Sequence, residues 1–115
     1  MKIEDHKECL KARKGIEDFL EVTNGKWKLL ILISLFEKPY RFKELAKEIN
    51  ISPRMLSREL KDLEINKLIS RIVYDTKPIT VEYSITKAGL SLKKVIFEMA
   101  GWGISYRKKM VAKEN

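Results

Sequence analysis

The chain has 115 residues, 44% of them hydrophobic, which suits one domain with a small core. Lys and Arg number 24 against 16 Asp and Glu, giving a net charge of +8 and a pI near 9.6. That balance suits an anionic partner such as nucleic acid without demanding one.

The single cysteine, Cys9, excludes an intramolecular disulfide and a cysteine-based metal cage within one chain. A reducing cytoplasm is the expected setting. No secretory leader is expected, because Glu4 and Asp5 interrupt the N-terminus before any apolar run. The longest greasy stretch, Leu29 to Phe36, is too short to span a bilayer, so no membrane partner is expected.

In chain order, residues 1 to 14 are highly charged and are expected to fray at the start. Ile16, Phe19, Leu20 and Val22 mark a short amphipathic helix, broken at Thr23-Asn24-Gly25. Trp27 to Phe36 is nearly apolar all round, as a helix in the middle of a core would be, and Pro39 closes it. Tyr40-Arg41-Phe42 reads as a very short strand, and Lys43 to Ile49 as a two-turn helix with Leu45, Ala46 and Ile49 inward.

The next stretch, Ile51 to Lys67, is the most informative. Ser52 suits an N-cap and Pro53 the first helical position. At about 100° per residue, Arg54, Ser57, Arg58 and Lys61 share one face, and Leu56, Leu60 and Leu63 the opposite one. Leu68 to Tyr74 and the alternating Thr80 to Ile85 then read as two strands around an Asp75–Ile79 loop. Thr86 is placed to cap a last helix carrying Leu90, Leu92, Val95, Ile96, Met99, Trp102 and Ile104. Gly101 and Gly103 are expected to weaken or bend that helix, and the basic tail from Arg107 to fray.

A helix pair followed by a hairpin is a winged helix-turn-helix. The expected fold is therefore mainly α (α+β), with a two-stranded wing and apolar terminal helices. In such a motif the start of the second helix meets base edges. Pro53, Arg54, Met55, Ser57 and Arg58 occupy those positions here, and Ser52, the cap before them, is also a DNA-binding candidate. Arginine can bind guanine O6 and N7 together, and Met55 suits a thymine methyl. Lys61, Lys77 at the wing tip, and Arg41 and Lys43 at the start of the first motif helix suit phosphate instead. The competing reading is a solvated helix face, with the cations salted by Glu59, Asp62 and Glu64.

Phe19, Val95, Met99 and Trp102 are candidates for a homodimer interface, since a monomer would expose a long apolar stripe. Catalysis has little to work with. His6 is the only histidine, and there is no Gly-rich phosphate loop, Ser/His/Asp set or metal-ligand spacing. No enzyme activity, metal or cofactor is expected.

Gly25-Lys26-Trp27 with the apolar run to Leu35, Arg41-Phe42-Lys43-Glu44-Leu45, Ile51 to Ser57 with Leu60 and Leu63-Glu64, and Val81-Glu82-Tyr83-Ser84-Ile85-Thr86 with Gly89 and Leu92 resemble the HxlR family. The match runs in order over about residues 16 to 103. The resemblance implies a single winged-helix domain over residues 1–115, with a DNA-binding part at about 25–86. Dimerisation helices would lie at about 14–24 and 87–109. It implies a transcription regulator that binds double-stranded operator DNA as a homodimer. Some family members sense oxidants through an N-terminal Cys-Pro pair. Counted without gaps, that pair falls on Lys14-Gly15, and Cys9 lies further out. The family's wing often reads Pro-Pro-Arg, where this chain has Pro78-Ile79-Thr80, so Lys77 is left to carry a wing contact. Two other readings stand beside the first. One is a winged-helix protein-interaction module without specific DNA binding. The other is a redox-responsive repressor using Cys9.

Overall fold

The structure is a computed structural model that describes residues 5–114. Helix α1 (His6–Thr23) leads into α2 (Lys26–Glu37), a two-residue strand β1 (Tyr40–Arg41), and the helix pair α3 (Phe42–Ile49) and α4 (Pro53–Ile65). The hairpin strands β2 (Ile69–Tyr74) and β3 (Thr80–Ile85) follow, then a single turn α5 (Lys87–Leu90) and the long α6 (Lys93–Glu114). The expected winged helix-turn-helix is present, and the wing belongs to a three-stranded antiparallel sheet. Its strand order is β1-β3-β2, with Tyr40 opposite Tyr83 and Ile69 opposite Ile85.

The core sits where the second, third and fourth helices meet the sheet. Ile31, Leu32 and Leu35 of α2, Leu45 of α3, Leu56, Leu60 and Leu63 of α4, and Ile69 of β2 are all buried. Each such side chain taken from water is worth about 2 kcal/mol, so the apolar stripe of α4 alone anchors that helix firmly.

Four boundaries differ from the sequence expectation by more than one residue. Helix α1 begins at His6 rather than near residue 14. Asp5 caps it, accepting the Glu8 N–H at 2.8 Å, and Lys14 pairs with Asp18 one turn on at 3.1 Å. Helix α4 stops at Ile65 rather than Lys67. Lys67 adopts a left-handed φ of 60°, which lets its N–H return to the Glu64 carbonyl and the Leu68 N–H to that of Leu63. This hydrogen-bond pattern ends helices and starts the next element in a new direction.

Thr86 caps α5 rather than the long last helix. Its hydroxyl accepts the Gly89 N–H at 3.0 Å and donates to the Lys67 carbonyl at 2.7 Å, tying the wing's base to the helix that follows. Finally, α6 runs unbroken through Gly101, Gly103 and the basic segment to Glu114. Two glycines cost about 1 kcal/mol each, which a helix this long tolerates. The expected fraying of residues 1–4 and of Asn115 lies outside the described residues.

Gly89 makes the tightest packing at a glycine. A Cβ there would stand 2.1 Å from the Leu68 carbonyl oxygen and 2.6 Å from Ile85 Cδ1. Around Gly101 the space is open. Gly89→Ala should therefore lower unfolding stability by about 2 kcal/mol or more through overpacking. Gly101→Ala should raise it by about 0.5–1 kcal/mol through helix propensity. Urea titration of the two variants checks both signs.

Candidate nucleic-acid interface

The turn between α3 and α4 is built from local hydrogen bonds. Asn50 takes a left-handed φ of 54°, a region asparagine enters more readily than most residues. The Ile51 N–H then reaches back to the Ala46 carbonyl at 3.1 Å, while the Ile51 side chain is buried. Ser52 Oγ accepts the Met55 N–H at 3.2 Å, and Pro53 occupies the first turn as expected. These bonds fix the angle at which α4 leaves α3.

From that start α4 presents two faces. Leu56, Leu60 and Leu63 are buried, whereas Ser52, Pro53, Arg54, Ser57, Arg58 and Lys61 are exposed. Met55 is half-buried at the edge of the core, so only part of it is open to a groove. Among the described residues, Arg54, Arg58 and Lys61 make no ion pair.

The acidic residues of α4 are engaged elsewhere. Lys28 of α2 is only 5% exposed, and its ammonium lies 2.5 Å from Glu59 Oε2 and 3.3 Å from Asp62 Oδ2. Burial pulls the Lys28 ammonium down, but the hydrogen bonds and charges of Glu59 and Asp62 outweigh it and hold its pKa above the ordinary lysine value. Two of the three carboxylates expected to salt the cationic face are therefore held by Lys28.

Sequence reasoning did not single out Lys28. Its signal is a lysine within an apolar helix, which requires a buried partner. Glu59 supplies one beside the leucine stripe of α4.

Arg41 and Lys43 stand exposed at the start of α3, where Glu44 Oε1 accepts the Arg41 backbone N–H at 3.0 Å. They border a groove of about 530 Å³ whose other wall is Pro78–Val81 of the wing. The fold thus brings the Arg41 and Lys43 segment beside the loop that carries Lys77. Lys77 and Arg71 are exposed on the hairpin, and Lys67 at its base.

The remaining candidates lie on the terminal helices, away from the core of the motif. Phe19, Val95 and Met99 line one apolar groove of about 430 Å³ with Ile16 and Leu20. Trp102 is 68% exposed and stacks on Tyr106 with ring centroids 5.0 Å apart. Cys9 is half-buried on α1. Among the described residues no cluster of His, Cys, Asp or Glu suits a metal, and no helix is long and apolar enough to cross a membrane.

The Lys28 cluster has a pH signature. Tyr40 is also raised, chiefly by burial. Both groups have folded pKa values above their unfolded ones. The stability they contribute is therefore present in full below about pH 10 and is lost as the pH rises through the folded values. Lys28→Met should make the alkaline fall shallower than in the wild type, measured as urea midpoints between about pH 8 and pH 11.

A sequence model of the HxlR-like helix-turn-helix family matches residues 22–111. The HTH-type transcriptional regulator YkvN of Bacillus subtilis is 42% identical over 99 residues, covering 85% of this chain and 84% of its own. The crystal structure of the HTH-type regulator YtcD superposes with a TM-score of 0.78 at 37% identity, covering 81% of this chain and 96% of that one. The redox regulator HypR in its reduced form superposes with a TM-score of 0.79 at 33% identity, covering 85% and 98%. These relatives are described as transcription or redox regulators. The family match runs through the helix pair, the wing and most of α6, and the chain belongs to the HxlR-like helix-turn-helix family of transcription regulators.

Proposed function

We propose that this regulator binds a specific duplex operator as a homodimer, with α4 in the major groove and the wing against the backbone. The observation that carries the reading is the sorting of charge on α4. Arg54, Arg58 and Lys61 stand exposed without ion pairs among the described residues, while Glu59 and Asp62 are bound to Lys28. A merely solvated helix face would leave its opposite charges interspersed. Arg54 and Arg58, with Ser57 and the exposed part of Met55, read bases. Lys61, Arg41, Lys43 and Lys77 hold phosphate.

The homodimer rests on unburied apolar surface. Leu10, Ile16 and Leu20 of α1 are exposed, as are Val95, Met99, Trp102, Tyr106 and Met110 of α6. The radius of gyration is 17.4 Å, against about 13 Å for a compact domain of this length. A second copy covering both terminal helices removes the exposed stripe and gives two recognition helices. Such a pair meets successive major grooves about 34 Å apart, which calls for an inverted repeat. A regulator of this kind works in the cytoplasm, where the genome is.

The redox reading has one observation in its favour, the likeness to a regulator named for redox control. Cys9 lies outside the family-matched segment, which begins at residue 22. Diamide treatment followed by a DNA-affinity measurement, with Cys9→Ser alongside, decides it.

Selection of bound sequences from a random duplex pool tests the main reading, and an inverted repeat is the expected product. On that duplex, Arg54→Ala and Arg58→Ala should each cost about 1–3 kcal/mol and relax discrimination. Lys77→Ala should weaken all duplexes evenly and reduce the salt slope by about two, one for each copy in the dimer. Binding that shows no salt dependence would favour the protein-interaction module instead. Sedimentation at micromolar concentration should give a two-chain mass.

A further inference from the structure

The buried cation of α2 has a role that packing does not explain. Lys28 is buried together with Ile31, Leu32 and Leu35 on the core-facing side of α2. An aliphatic residue would fill that space with no charge to desolvate, and replacing buried ion pairs by apolar groups is often neutral or stabilising. What Lys28 does is hold two carboxylates of α4, at 2.5 Å for Glu59 and 3.3 Å for Asp62.

Asp62 lies four residues beyond Arg58, which makes the two neighbours on the helix surface, about 40° apart in angle. The Asp62 side chain is 48% exposed, so it has room to swing toward Arg58. Yet Asp62 is drawn to Lys28, and Arg58 makes no ion pair among the described residues. We infer that Lys28 is a positioning residue for DNA recognition: it holds Asp62 on the core side of α4 and so keeps the Arg58 guanidinium free for a base edge. This rests on α4 reading DNA.

Without Lys28, Asp62 pairs with Arg58. The residue best placed to donate two hydrogen bonds to a guanine then enters the groove already occupied.

A charge-balanced variant isolates the effect. The wild-type cluster of one ammonium and two carboxylates carries a net charge of −1. Lys28→Met with Glu59→Leu leaves Asp62 alone, also −1, and replaces the buried pair by apolar groups of similar bulk. Lost affinity in this double variant therefore reflects the freedom of Asp62 and not a change in total charge.

The probe is a duplex selected by the wild-type protein, titrated at fixed salt, with thermal melts confirming that each variant is folded. Because the proposed dimer carries two copies of the pair, the double variant should bind about twofold to fivefold more weakly. Adding Asp62→Asn should restore wild-type affinity, which a purely structural role of Lys28 does not predict. Asp62→Asn in the wild-type background should change affinity by less than about twofold, because Asp62 is already engaged there. That last measurement needs no change at Lys28, so it stands even if the double variant melts early.

A double variant that binds like the wild type overturns the inference. So does a triple variant as weak as the double, or a gain of about threefold or more from Asp62→Asn alone. A wild-type protein that selects no duplex at all instead overturns the DNA-binding reading on which the inference rests.

Discussion

The structure depends on one constraint: α4 must be held by a single face. A helix that enters a DNA groove can be gripped by its own protein only from behind. Leu56, Leu60 and Leu63 supply that grip, against Ile31, Leu32 and Leu35 of α2, Leu45 of α3 and Ile69 of β2. At about 2 kcal/mol for each buried leucine, the stripe contributes gross hydrophobic stabilisation comparable to the whole net stability of a domain, about 5–15 kcal/mol, so the loss of any one leucine is felt. The neighbouring elements follow from this grip. Helix α2 is apolar nearly all round because it fills the space behind α4. Helix α3 is short because it has only to brace one end, and β1 adds an edge to the wing sheet beside the start of α3.

The same constraint sets the electrostatics. Leucines take the middle of the rear face, so polar residues must sit at its flanks. Glu59 and Asp62 are there, within reach of a core that would reject them unpaired. Lys28 resolves the conflict by bringing a cation through the core to meet them. Of the two contacts, the one to Glu59 is the more enclosed, its carboxylate side chain being 14% exposed against 48% for Asp62. Burial strengthens the first pair, while water screens the second, which makes Asp62 the member most easily released.

Much of this was legible in the sequence because it is local. Ser52, Pro53 and the leucine spacing define α4 within one stretch, and the structure keeps Arg54, Ser57, Arg58 and Lys61 exposed together. The strand Thr80–Ile85 agrees with its expected bounds, because its alternation is flanked by Pro78 on one side and the Thr86 cap on the other. The features that escaped are those decided at a distance or by small sums. Lys28 finds its partner 31 residues away, which no periodicity reveals. Among the described residues, the start of α1 rests on the Asp5 cap, with the Lys14–Asp18 pair further along the same charged segment. Helix α6 outlasts two glycines because helix formation is cooperative: once nucleated, each further residue adds a hydrogen bond. The one-turn α5 is too short for periodicity to define, and Gly89 reveals its purpose only when Leu68 and Ile85 are seen against it.

Helix α6 also explains why a single amphipathic stripe is a poor description of the C-terminal region. Val95, Met99, Trp102, Tyr106 and Met110 fall on one side of it, and Phe97, Ile104 and Val111 on the other, about 160° away. Near its start each side has an internal neighbour. Phe97 meets Phe36 of α2 at 6.0 Å, and Val95 and Met99 share a groove with Ile16, Phe19 and Leu20 of α1. Beyond Trp102 the residues of both stripes are exposed. A helix of 22 residues is about 33 Å long, more than its own small core can cover. On the proposed dimer, this overhang is what a second copy grips. On that reading, an unbroken helix running from the grip back to Ile96 in the core would set the distance between the two copies of α4. The unbroken passage through Gly101 and Gly103 therefore matters to recognition, because a bend there would alter the spacing at which two half-sites can be met at once.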